Sequence, residues 1–224
     1  MKFLEAVNLH KSYKRMNAVQ GVDFYVKEGE ILGLLGPNGA GKTTTISMIS
    51  SLITPTKGDI LLKGKSILSN FKSLRKMLGV VPQDIALYPE LTGYENLAFF
   101  GRVYGLRGKE LGKRIDQVLD LIGLQDRAKD RLKNFSGGMK RRMNIGAALL
   151  HQPKLLIMDE PTVGIDPQSR NHILNTVKRL SEEGMTILYT THYMEEAEYL
   201  CDRIYIMDFG KIIAHGTKAE LIDI

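Results

Sequence analysis

Short runs of Val, Ile and Leu recur along the chain at Ile31–Leu35, Gly79–Val81, Leu155–Met158, Thr186–Thr190 and Ile204–Met207. They are apolar at consecutive positions, the pattern of strands buried on both faces. Helical spacing fills several intervals between them. Ile173, Leu174, Val177 and Leu180 recur at helical steps before Gly184, which stands where a C-terminal cap belongs, and Thr186 opens the next strand. Strand and helix in alternation predict an α/β fold with a mainly parallel sheet. Phe3–Leu9 and Val22–Val26, joined by the polar turn Lys14–Asn17, predict an N-terminal antiparallel β layer.

Between Thr92 and Phe135 the strand pattern stops. Leu111, Ile115, Val118, Leu119 and Ile122 form one helical stripe, and Thr92 with Glu95 has the spacing of a capping box. The expectation is an inserted all-helical subdomain, residues 92–135, in a core made of residues 1–91 and 136–224. No repeat or Pro-rich linker divides the chain, so 1–224 reads as one domain. A helical pattern runs to its end at Ile224.

At 224 residues, 43% hydrophobic and 25% charged, the chain is long enough to bury one sizeable core. No stretch approaches the run of about 18 apolar residues that a spanning helix needs, and Met1–His10 lacks the pattern of a signal peptide. A cytoplasmic location is expected. The single cysteine, Cys201, excludes an internal disulfide and a cysteine-based zinc site, and its apolar neighbours Ala197, Leu200 and Ile204 predict core packing. The net charge of +6 is spread out, with Lys140–Arg142 the only tight basic run, which reads as a solvated surface rather than a nucleic-acid footprint.

Chemistry enters at Gly36-Pro37-Asn38-Gly39-Ala40-Gly41-Lys42-Thr43, which fits G-x-x-x-x-G-K-[ST] between the strand Ile31–Leu35 and a helical run from Thr44 to Ser51. Glycines let backbone N–H groups converge on phosphate oxygens, and the helix offers its positive end to the same anion. Lys42 then reaches the β- and γ-phosphates, while the Thr43 hydroxyl suits Mg²⁺. Downstream, the strand Leu155–Met158 ends in Asp159-Glu160, at the edge where open α/β sheets bind ligands. Asp159 suits Mg²⁺ through its water shell; Glu160 suits the water that attacks the γ-phosphate. These features predict a P-loop NTPase core.

Phe135-Ser136-Gly137-Gly138-Met139 opens the helical run Met139–Leu150 and would build a second anion-binding helix start. One nucleotide does not need two such cradles from the same chain. The segment resembles the signature motif of ATP-binding cassette (ABC) proteins, in which this segment of one subunit closes over the γ-phosphate held by the other. The likeness covers essentially the whole chain in the family's order. It implies that Tyr13 stacks on adenine and that Gln83 senses Mg²⁺ and the attacking water while linking to a transmembrane partner. Val163-Gly164-Ile165-Asp166 looks like the loop that crosses the dimer interface, with Asp166 near nucleotide, and His192 is similar to the family's switch histidine. Phe135 and Met139 depart from the usual leucine and glutamine, while Ser136 and Gly138 are retained.

Gly79–Gly105 and Asp159–His192 look most like the motor subunits of drug, polysaccharide and sodium exporters. The resemblance implies an ATPase that uses ATP and Mg²⁺, pairs with a second copy or a homologous subunit, and drives a transmembrane permease from the inner face of the cell membrane, with no nucleic-acid partner. The alternative is a soluble cassette protein acting on ribosomes or nucleic acid. A kinase or switch GTPase explains neither Ser136-Gly137-Gly138 nor His192. The apolar residues Ile85, Leu87, Tyr88 and Leu91 within Asp84–Asn96, rimmed by Asp84, Glu90 and Glu95, predict where an amphipathic helix of the permease docks.

Overall fold

A computed structural model describes residues 1–14 and 16–222. Strands β1 (Lys2–Tyr13), β2 (Met16–Lys27) and β3 (Ile31–Leu35) lead into helix α1 (Lys42–Ile49). Strands β4 (Lys57–Leu62) and β5 (Lys65–Ser66) and helix α2 (Ile67–Leu74) precede β6 (Leu78–Val81). Helices α3 (Gly93–Val103), α4 (Gly108–Leu121) and α5 (Gly137–Leu149) separate it from β7 (Leu155–Asp159). Then follow α6 (Pro167–Glu182), β8 (Thr186–Thr191), α7 (Met194–Leu200), β9 (Arg203–Asp208), β10 (Lys211–Gly216) and α8 (Lys218–Ile222).

The strands form two sheets, a four-stranded one in the order β2-β1-β4-β5 and a six-stranded one in the order β10-β9-β3-β8-β7-β6. The first is antiparallel throughout; in the second, β9, β3, β8, β7 and β6 run parallel and β10 closes the edge antiparallel. Sequence patterning predicts this mixed α/β architecture, but β4, β5 and β10 are absent from the expectation. The polar turn is tighter than Lys14–Asn17, since β2 already starts at Met16, and Arg15 lies outside the described residues. At the other end α8 covers Lys218–Ile222, and residues 223–224 lie outside them too.

Consecutive apolar residues are explained by two cores, one on each face of the six-stranded sheet. Leu32, Leu34, Leu155, Ile157 and Leu188 turn toward α1 and the antiparallel layer, while Ile31, Leu35, Leu156, Met158, Ile187 and Tyr189 turn toward the helices of the opposite face. Each buried leucine or isoleucine contributes about 1.5–3 kcal/mol relative to exposure, so β3, β7 and β8 are the stable centre. The stripe Leu111, Ile115, Val118, Leu119 joins the second core, and α3 begins with the predicted capping box, Thr92 Oγ1 accepting from Glu95 N–H at 3.1 Å. Gly184, at φ 88°, ends the turn after α6. Cys201 is buried, and burial pushes its thiol far above the usual range, as expected of a packing residue. Among the described residues no helix is long and apolar enough to cross a membrane.

Candidate nucleotide site

Sheet order decides which loops meet. Strands β3, β8 and β7 are neighbours with ends in register, Leu35 opposite Thr191 and Asp159 opposite Thr190. The loop after β3, His192 after β8 and Asp159-Glu160 at the end of β7 therefore emerge side by side, with Gln83 just beyond β6 on the next strand. This is the carboxyl edge at which open α/β sheets bind ligands.

The loop Gly36–Gly41 needs its glycines. Gly41 takes φ 106° as the N-cap of α1, and a Cβ there would lie 2.5 Å from the Ala18 carbonyl. No side chain caps α1, so its first N–H groups stay free for an anion. Lys42 opens that helix with its ammonium turned back, donating to the Gly36 carbonyl at 2.7 Å and the Pro37 carbonyl at 3.0 Å. Its third partner is Glu160 Oε1 at 3.0 Å, in a pair whose side chains are only 3% and 5% exposed.

Glu160 takes a left-handed φ of 44°, a conformation that costs about 1–3 kcal/mol for a residue with a side chain. Its N–H donates to Thr190 Oγ1 at 3.0 Å, and that hydroxyl donates to Asp159 Oδ1 at 2.7 Å. Glu160 Oε2 meets His192 Nδ1 at 3.1 Å. Asp159 lies behind. Burial pushes its carboxyl above the usual range, against the opposing pull of the Thr190 and Thr43 hydroxyls. A buried carboxylate short of positive charge beside the Thr43 hydroxyl is a hard-oxygen donor set that suits a divalent cation such as Mg²⁺.

A cleft of about 490 Å³ opens over Lys42 and Glu160, lined among others by Asn38, Gly39, Gly41, Thr43, Thr44 and Gln83; Asp159 and His192 do not line it and reach it through Thr43 and Glu160. Met16 and Phe209, 62% and 82% exposed, line it as well. Sequence reasoning passed over both. A large apolar side chain in the turn Asp208-Phe209-Gly210, where polar residues are usual, was the available signal. Tyr13 does not line the cleft. It stands at the end of β1 with the Lys11 ammonium 5.3 Å from its ring centroid.

Ser136, Gly137, Gly138 and Asp166 are likewise not among the residues lining the cleft. Ser136 caps α5, accepting from Met139 N–H at 3.2 Å, and Asp166 caps α6, Oδ1 accepting from Ser169 N–H at 2.9 Å. The two helix starts touch: a Cβ on Gly138 would overlap the Ser169 hydroxyl, so only glycine fits there. The chain thus carries one anion cradle in its cleft and a second, exposed helix start away from it.

Comparison with known proteins agrees with this arrangement. The sequence profile described as "ABC transporter" matches residues 19–163. The linearmycin resistance ATP-binding protein of Bacillus subtilis is 59% identical over 218 residues, 97% of this chain and 70% of that protein. A Nod factor export ATP-binding protein of Cupriavidus metallidurans is 44% identical over 220 residues, 98% of this chain and 73% of its own. Among solved structures, a dimeric ATP-binding cassette in a post-hydrolysis state with ADP and Pi superposes with a TM-score of 0.87 at 28% identity, covering 96% of this chain and 98% of that one. The fold, the phosphate loop with its buried Lys42–Glu160 pair and these relatives agree: the chain belongs to the ABC transporter family and is an ATP-binding, ATP-hydrolysing subunit of it.

Proposed function

We propose that this subunit powers export by a separate membrane permease, with two chains closing head to tail around two Mg-ATP. Its relatives are named for linearmycin resistance and Nod factor export, and that direction of transport is carried over to this chain. The compound moved contacts the permease.

Each residue has a role in this reading. N–H groups of Gly39–Thr44 cradle the phosphates, and Lys42 exchanges Glu160 Oε1 for the γ-phosphate. Thr43, Asp159 and Gln83 would hold Mg²⁺, which would supply charge neutralisation on the phosphates. Released from Lys42, Glu160 orients and deprotonates the attacking water, and His192 holds both the Glu160 carboxylate and the γ-phosphate. Ser136, Gly137, Gly138 and Asp166 serve the site of the partner copy, which accounts for their lying away from the cleft of their own chain. Met16 and Phe209 offer adenine an apolar flank, with Tyr13 at the edge of the same face.

The observation that carries the permease reading is an exposed apolar groove of about 450 Å³ at the base of the Gln83 loop. Leu52, Val80, Pro82, Ala86, Val103 and Tyr104 line it, with Leu52 72% and Val103 66% exposed. Next to it Tyr88 packs edge-on against Phe99, ring centroids 4.9 Å apart. Ala86 brings the segment Asp84–Asn96 into the groove, the end of α3 extends it, and Arg75 and Lys76 border it. An amphipathic permease helix with acidic flanks fits such a surface.

Leu52→Arg combined with Val103→Arg adds like charge to that rim without touching the cleft. Basal hydrolysis by the isolated protein is expected to stay within about twofold, since exposed substitutions change stability little. Co-purification with the membrane permease should be lost. Undiminished co-purification of the double variant would move the docking surface elsewhere.

A further inference from the structure

Glu196, on α7, is a buried carboxylate that the roles above leave unused. It is 1% exposed, yet it is not wasted: Oε1 accepts from the Thr162 hydroxyl at 2.7 Å and from Arg170 Nε at 2.7 Å. Oε2 accepts from the Tyr189 hydroxyl at 3.0 Å and the Thr191 hydroxyl at 2.9 Å. A buried carboxylate satisfied on both oxygens is rigid, and the removal of any partner is costly.

The donors mark where that rigidity is delivered. Thr162 lies two residues after Glu160, and Thr191 directly precedes His192. The Thr191 hydroxyl also accepts from Tyr193 N–H at 3.0 Å, which fixes the turn that carries His192. Arg170 lies over the Tyr193 ring at 4.8 Å, and the His192 ring packs at a tilt against the same tyrosine, centroids 4.1 Å apart. Backbone and side chains thus close a ring from Glu160 through Thr162, Glu196 and Thr191 to His192, completed by the 3.1 Å contact of His192 Nδ1 with Glu160 Oε2.

We infer that Glu196 is a positioning residue for hydrolysis, holding the loops of Glu160 and His192 at the separation their contact needs. The inference rests on the proposed roles of Glu160 and His192. Glu196 does not line the cleft, and its partners lie outside Gly36–Thr44, so its loss acts on turnover and not on ATP affinity. A displacement of about 1 Å in a reacting group costs on the order of 10²-fold in rate.

The test compares Glu196→Gln, Glu196→Ala, His192→Ala and the double variant Glu196→Gln/His192→Ala. Phosphate release gives turnover; a fluorescent ATP analogue, titrated without divalent cation, gives affinity. Glutamine keeps one oxygen for Thr162 and Arg170 but turns an amide toward Tyr189 and Thr191, whose hydroxyls must reverse. A loss of roughly tenfold is expected for it and roughly 10²-fold for alanine, with affinity within about twofold in both. In the double variant the two losses should not multiply, because residues acting through one another are non-additive. If Glu196→Ala does not fold, Glu196→Gln carries the test, together with Arg170→Gln at a partly exposed position, expected to lower turnover in the same direction. Wild-type turnover in the folded Glu196 variants beside an inactive His192→Ala overturns the inference alone, as do losses that multiply. Wild-type turnover in His192→Ala overturns the role of His192 and this inference with it.

Discussion

Glu160→Gln is expected to lower ATP turnover by roughly 10²–10⁴-fold, the loss that follows removal of a positioned general base, while ATP stays bound. Binding survives because the N–H groups of the loop, Lys42 and the hydroxyl of Thr43 are untouched. It should even tighten somewhat, since the Lys42 ammonium no longer has to leave a carboxylate 3.0 Å away to reach the γ-phosphate. The amide is nearly the same shape, keeps an oxygen for Lys42 or His192, and tolerates the left-handed backbone as glutamate does, so refolding of the site is not a competing explanation. Phosphate release under single-turnover conditions measures the first effect and equilibrium ATP binding the second. Turnover within a fewfold of wild type would take Glu160 out of the chemistry.

Lys42→Met is expected to act twice. ATP affinity should fall on the order of 10²-fold, the value of one strong charge-assisted hydrogen bond to phosphate. Without nucleotide the protein itself should also lose stability. Its partner Glu160, 5% exposed, keeps His192 Nδ1 as its remaining side-chain partner among the described residues, and breaking one side of a buried pair costs about 3–5 kcal/mol. Adding Glu160→Gln to Lys42→Met removes the stranded charge and should recover most of that loss. Urea unfolding of the nucleotide-free proteins decides the matter. Equal stability of wild type and Lys42→Met would mean that the ion pair does not form in solution.

The phosphate-loop motif was legible because the rule that recognises it is local. Gly36–Thr43 is a contiguous motif, its strand and helix flank it directly, and the two acids end the most apolar run in the chain. The antiparallel pairings were only half visible. β4 (Lys57–Leu62) opens with Lys-Gly-Asp, β5 is two residues long, and β10 alternates exposed and half-buried positions, so none reads as a buried run. Each is instead recruited by a neighbouring strand, a non-local gain that propensity does not register.

Glu196 shows the same limit more sharply. Within Met194-Glu195-Glu196-Ala197 nothing distinguishes the second glutamate from the first, and a charged pair on a short helix ordinarily faces water. Its burial comes from Thr162 and Arg170, 34 and 26 residues away in the chain. The apolar groove is hidden for a related reason: Leu52, just after α1, and Val103, at the end of α3, are brought together only by packing.

One chain is expected to hold only half of each working site, and the mass of the Glu160→Gln protein in sedimentation with saturating ATP decides it. Alone it should sediment near 25.1 kDa, and with ATP at twice that mass. Adding Ser136→Arg, outside the cleft of its own chain, should leave ATP binding to each chain intact yet keep the mass at the single value. An ATP-loaded Glu160→Gln protein that stays a monomer, or a dimer that forms equally well with Ser136→Arg, would contradict it.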